Sequence, residues 1–150
     1  ANAGAGPTGE ILSGWKMRNA HLPARVLEQH SETVFTTDRA IDFIQEQGEQ
    51  PWCLHLSYIK PHWPYIAPAP YHALYGAAQV LAPIRAQTPS DHPVYTAFRQ
   101  HEESLNFSRE DVRLNVIPTY MGLIKQVDDQ LGRLFDLLHS MGRHADCVHQ

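Results

Sequence analysis

Cysteine is scarce in these 150 residues, with only Cys53 and Cys147 present. Two thiols make no disulfide framework, which excludes a small secreted scaffold stapled by bridges. Positive charge is scarce too. The formal net charge is -4 with no lysine-arginine cluster anywhere, and that argues against a nucleic-acid partner. No apolar run approaches the roughly 20 residues of a membrane span. No phosphate-cradling glycine loop, G-x-S-x-G elbow or H-E-x-x-H pair occurs. The chain does not open with a basic segment followed by an apolar one, so no secretory signal is visible, which leans toward a cytoplasmic location. What is present is ordinary for a folded domain: 43% hydrophobic and 19% charged residues, in a chain long enough for one core but not two.

Histidine is the one abundant ligand type, ten in all, but the residues are scattered singly. His139, His144, Cys147 and His149 match no standard zinc spacing, so no metal ligand is assigned. Cys53 lies inside an apolar run and reads as a small buried hydrophobe.

Residues 1–20 read as loop or disordered end, the first 14 being small, Gly-rich and aperiodic. An irregular segment around Pro23 follows. Ser31 is a natural N-cap with Glu32 in the first turn. Val34, Ala40, Ile41, Phe43 and Ile44 then give a helical stripe that stops at Gly48. Pro51 turns the chain into Trp52–Tyr58, a short apolar run expected to be a buried strand. A helix, a turn and a buried strand are the second half of a βαβ crossover, whose first strand is not evident.

From Ile66 to Gln100 prolines recur at 68, 70, 83, 89 and 93. Proline removes backbone donors, so this reads as a long loop with one short helical turn at Tyr71–Tyr75. Substrate enclosure and a plain insertion fit it equally. Ser108 and Asp111 resemble a capping box. Beyond them Ile117, Tyr120, Ile124, Val127, Leu131, Leu134, Leu138 and Met141 recur in steps of three and four, with Met121, Leu123, Phe135 and Leu137 widening the row, the expected buried face of a long helix ending at Gly142. Pro118 either kinks it or sets its start.

The chemistry-bearing residues gather after the strand. Lys60 and His62 stand just beyond its end, where ligands bind in α/β folds. A lysine and a histidine donate hydrogen bonds to anionic oxygens, which suits a sulfate, phosphate or phosphonate group. Trp63 and Tyr65 flank them. His55, on the strand, reads as a satisfied core histidine. Asp128 and Asp129 point about 100° apart on a helix and read as a solvated or capping pair. There is an anion-binding loop here, but no nucleophile with a base beside it.

The stretches H-L-P-A-R-V, H-S-E-T-V-F-T-T-D-R-A-I-D-F-I, P-W-C-L-H-L-S-Y-I-K-P-H-W-P-Y, L-A-P-I-R-A and Y-M-G-L-I-K-Q-V-D-D-Q-L-G-R-L-F resemble the sulfatase family. Within it they are most similar to the bacterial phosphonate monoester hydrolases and related arylsulfatases. The likeness runs from His21 to Gly142 in the family's order. It implies the alkaline phosphatase superfamily fold, a mixed α/β sheet covered by helices. It also implies hydrolysis of a small anionic sulfate, phosphonate or phosphate ester by a divalent metal (Ca, Mn or Mg type) and a formylglycine made from Cys or Ser. His62 occupies the position of the loop histidine that contacts the anion. Lys60 assists it, at a position whose residue type varies among members. Trp63 and Tyr65 then shape the pocket wall.

The departures also carry information. The family's nucleophile lies in C-x-P-x-R, and neither Cys53 nor Cys147 stands in such a motif. The early metal-binding aspartates would precede Ala1, and the later D-H-G or D-N-G motif would follow a strand starting near Asp146, with residues 143–150 its truncated beginning. The expectation is an internal segment of a longer enzyme, inactive alone and holding no metal, with a non-catalytic remnant or interaction module as the alternative. Open strand edges at Trp52–Tyr58 are expected to favour self-association.

Overall fold

The structure is a computed structural model that describes residues 2–5, 8–84, 88, 90–143 and 145. Part of the expected N-terminal loop is instead a ribbon, in which β1 (Asn2–Ala5) pairs antiparallel with β2 (Ile11–Ser13). Among the described residues, strand pairing is confined to this ribbon. Single 3-10 turns at Met17–Asn19 and Glu28–His30 lead to the first long helix.

That helix, α1 (Glu32–Gln47), forms where its local signals place it. The Ser31 side chain accepts from the Val34 amide at 3.4 Å, and Gly48 ends the helix with a φ of 56°, a conformation glycine adopts without steric cost. Its buried side holds Val34, Ala40 and Ile44 as the stripe predicts, and adds Thr33 and Thr37. Thr37 is accommodated because its hydroxyl meets the Thr33 carbonyl and the Tyr58 hydroxyl.

Trp52–Tyr58 is extended, yet it is not a strand: no backbone hydrogen bond from another described segment reaches it. Its burial alternates residue by residue. Trp52, Leu54 and Leu56 pack on the core formed by Ala40, Ile44, Leu134 and Leu138, with Trp52 edge-on to Phe43. Cys53 and His55 lie on the other side and are exposed. Both were expected in the core. A continuous apolar run predicts burial on two faces, and here only one face is covered.

Two helices precede the last one where a single start was expected. Ser108 closes α3 (Glu102–Ser108) by donating to the Leu105 carbonyl, and α4 (Glu110–Ser140) begins after Arg109, which pairs with Asp111. Pro118 therefore sits inside α4 rather than at its start. A further short helix, α2 (Pro93–Arg99), occupies part of the expected loop, with Pro93 in its first turn, where a missing N–H costs nothing. The turn foreseen near Tyr71 forms at Tyr71–Ala73. Residues 85–87 and 89, and the expected strand from Asp146 with Cys147 and His149, lie outside the described residues.

The buried side of α4 is offset from the apolar stripe. Val112, Val116, Thr119, Leu123, Gln126, Gln130, Leu134 and Leu138 are buried, whereas Tyr120 and Ile124 are 39% and 45% exposed. The buried row meets the centre of the stripe only at Leu134 and Leu138, and its widened edge at Leu123. Polar docking explains the shift. The Thr119 hydroxyl donates to Ala20 O at 2.9 Å, Gln126 donates to the Ser31 hydroxyl at 2.9 Å, and Gln130 donates to Glu28 at 3.4 Å. Arg133 extends the row to Asp38 at 2.7 Å. Buried polar groups persist when their partners are built in, and this seam holds the 20–38 region against α4.

The other side of α4 receives the Tyr71–Ala73 turn. The Tyr71 hydroxyl donates to Asp129 at 2.9 Å, and Lys125 pairs with the same carboxylate. Asp128 stays largely exposed, as expected for a solvated residue, but Asp129 is a clamp. Lys125 and then Tyr71 hold the Asp129 carboxyl below the usual range against the opposing effect of burial. Burial, followed by Asp129, pushes the Tyr71 hydroxyl up to about 12. Because the folded value is raised, this contribution is complete below the ordinary tyrosine range and disappears as pH rises toward about 12. Tyr71→Phe is expected to cost about 1 kcal/mol at neutral pH. Its stability gap from wild type in urea melts should close between about pH 10 and about pH 12. A gap that stays constant with pH would mean that this hydroxyl is not the titrating clamp.

Candidate functional site

The loop at 59–66 is short of backbone donors, because Pro61 and Pro64 have no N–H. The peptide bonds before both prolines are cis. A turn closes the loop, His62 N donating to Ile59 O at 2.9 Å. Three successive carbonyls, those of His62, Trp63 and Pro64, are then taken by side chains of the loop itself. Lys60 Nζ donates to Pro64 O at 2.6 Å and to His62 O at 3.3 Å. His62 Nδ1 lies 2.7 Å from Trp63 O. A carbonyl only accepts, so Nδ1 carries the hydrogen and Nε2 is the ring nitrogen left for a ligand. The imidazole is exposed. Downstream, Ala24 N donates to Ala67 O at 2.8 Å and ties the loop to the segment before α1.

Of the four residues singled out in the sequence, Lys60 and His62 are brought together through these carbonyls. Lys60 is half-buried, and burial lowers its pKa while the Glu32 carboxylate acts in the opposite direction. Trp63 packs edge-on against Trp15, ring centroids 4.4 Å apart, and its Nε1 is buried with no hydrogen-bond partner among the described residues. Tyr65 joins the helical core instead. It makes edge contacts with Phe107 and Tyr120 and packs on Ala20, Val112 and Val116. Burial, with Tyr120 beside it, raises its hydroxyl pKa. Sequence reasoning missed Trp15, which lies in an aperiodic stretch where no spacing marks it.

A cavity of about 190 Å³ adjoins this loop at the N-terminus of α1, lined by Ser31, Glu32, Lys60, Leu123 and Gln126 among others. Of its polar groups, Gln126 is engaged with Ser31, and Lys60 with the loop carbonyls. Among the described residues no three His, Cys, Asp or Glu side chains are grouped to hold a metal ion, and Asp129 is committed to Tyr71 and Lys125. The residues described do not fit the divalent metal that the family likeness implies, and no catalytic step is routed through one.

The profile of the sulfatase family matches residues 9–148, which takes in the whole loop and both long helices. The chain belongs to the sulfatase family. This sulfatase segment is 34% identical to the multifunctional alkaline phosphatase superfamily protein PehA of Trinickia caryophylli, over 84% of the segment and 27% of that protein. It is 28% identical to a choline-sulfatase of Rhizobium meliloti (strain 1021), over 62% of the segment and 19% of that protein. Among solved structures it superposes on the phosphonate monoester hydrolase SpPMH of Silicibacter pomeroyi with a TM-score of 0.76 at 27% identity, covering 95% of the segment and 29% of that chain. Less than a third of each relative's length is therefore represented. That neighbour is an alkaline-phosphatase-like hydrolase, consistent with the α/β class, although the described residues of the segment are mostly helical.

Proposed function

We propose that this segment supplies the anion-binding loop of a sulfate-, phosphonate- or phosphate-ester hydrolase, with His62 as the donor to the anion. The observation that carries this reading is the exposed imidazole whose Nδ1 is tied to the Trp63 carbonyl, inside the stretch that matches the family. The bond orients the ring and leaves Nε2 free. As an imidazolium, Nε2 donates to an oxyanion; as a neutral ring it accepts. Trp63 and Trp15 form the aromatic flank of the loop. The reading extends to the sheet. In a protein of the relatives' length, Trp52–Tyr58 is a strand of the mixed sheet, paired along its open edges, which sets Lys60 and His62 at its carboxyl end. The nucleophile and divalent metal of such an enzyme come from residues other than those described.

The test begins with the coding sequence on either side of these 150 residues. An in-frame C-x-P-x-R upstream and D-H-G or D-N-G downstream are expected, and stop codons on both sides would end the enzyme reading in favour of a remnant. The encoded whole protein should hydrolyse aryl sulfates or phosphonate monoesters, and the 150-residue chain alone should turn over neither. Loss of one oxyanion donor costs about 10²–10³ in kcat, and His62→Ala in the whole protein is expected to fall in that range. A His62→Ala enzyme at the wild-type rate removes His62 from the site.

A further inference from the structure

A lysine two residues from an anion-binding histidine reads at first as a second anion ligand. The geometry of Lys60 points elsewhere. Its ammonium has three N–H groups, and the 2.6 and 3.3 Å bonds to Pro64 O and His62 O direct two of them into the loop's own backbone. The reason lies in the sequence of the loop. Pro61 and Pro64 withhold two amide donors from a turn in which three consecutive carbonyls are presented, so side-chain donors take their place. Ile66 N reaches Pro64 O at 3.0 Å and the His62 ring reaches Trp63 O. The carbonyl of His62 has Lys60 as its donor. Lys60 thus bridges the two sides of the peptide unit to which the His62 ring is itself bonded.

We propose that Lys60 is a positioning residue, whose ammonium clamps the His62 and Pro64 carbonyls and so fixes the Trp63 carbonyl against His62 Nδ1, rather than a ligand of the anion. The use of this clamp rests on His62 being the anion donor, but its existence does not. Without it the carbonyl of Trp63 is free to turn away, the imidazole loses its preferred tautomer, and Nε2 is no longer presented in one orientation.

The two roles separate in the absence of any anion. Lys60→Met keeps the length and apolar stem of the side chain and removes its donors; Lys60→Arg keeps donors. Long-range ¹⁵N–¹H NMR of the His62 ring and the amide spectrum of residues 62–66 are recorded on the anion-free chain. In wild type the two ring nitrogens are expected to be well separated, Nδ1 protonated. In Lys60→Met they should converge toward a mixture of tautomers and the 62–66 amides should shift, while Lys60→Arg stays close to wild type. Inorganic sulfate is then titrated in at a lower pH, chosen so that the ring is the imidazolium whose Nε2 donates. Lys60→Met is expected to bind it about tenfold more weakly, a loss of the order of one hydrogen bond to a charged group. An anion-free Lys60→Met loop identical to wild type overturns the proposal, whether sulfate binding is lost (a direct ligand) or kept (no role). If wild type shows no sulfate response at all, the His62 reading fails, while the anion-free comparison still decides the role of Lys60. The thermal melt of each variant checks the core; should Lys60→Met fail to fold, Lys60→Leu, which also lacks donors, carries the same comparison.

Discussion

Leu123→Ala is expected to destabilise the chain by about 3 kcal/mol, within the usual range for a buried leucine, while Ile124→Ala beside it costs less than about 1 kcal/mol. The two residues are neighbours on α4 and similar in size. Leu123 is 0% exposed and Ile124 is 45% exposed. Leu123 also borders the cavity of about 190 Å³ beneath the Lys60 loop, so truncation enlarges a void that the surrounding polar seam, held by Gln126 and Ser31, cannot collapse into without breaking a hydrogen bond. Urea unfolding of both variants measures the difference. Equal losses, or a larger loss at Ile124, would put the centre of the expected apolar face, and not its Leu123 edge, in the core.

Gly122→Ala is expected to lose about 2 kcal/mol net. Alanine in a helix interior gains about 1 kcal/mol over glycine. Against this, a Cβ at Gly122 would collide with the carbonyl oxygen of Tyr71 and come within 3.0 Å of its carbonyl carbon. Overpacking costs about 1–3 kcal/mol, and the upper end applies because the obstacle is backbone tied down by the Tyr71–Asp129 bond. Gly132, on the same helix, is the control: nothing lies within 4 Å of a Cβ there, so Gly132→Ala should gain up to about 1 kcal/mol. Opposite signs at the two glycines are the expected outcome of thermal or urea melts. Two gains would mean that the Tyr71–Ala73 turn does not rest on α4.

Both pairs turn on contacts that hydrophobic spacing does not encode. Apolar spacing marks the stripe on α4, and three positions of the observed buried row, Thr119, Gln126 and Gln130, are polar. Hydrophobic spacing cannot register a side chain that is buried because it has found a hydrogen-bond partner about 100 residues away. The apolar run at Trp52–Tyr58 marks an extended segment, but its alternation of burial depends on which face the helices cover, so Cys53 and His55, expected inside, lie on the open side. Local signals fared better. Ser31 and Gly48 bound α1 as expected, and the turn at Tyr71 formed, because caps and turns are decided by residues within a few positions of one another.

By itself, the sequence determined the family, the position of His62 in a proline-flanked loop, and the helix that leads to it. All of these reside in motifs and short-range spacing. Only the tertiary structure decided what the polar residues of those motifs do. Asp129 and Gly122 dock a turn, Gln126 and Gln130 dock the start of α1, and Lys60 turns inward onto the carbonyls of the loop that carries His62. A polar side chain has several possible partners, and the one it takes depends on which groups the fold brings within about 3 Å of it, a distance set by packing between segments far apart in the chain.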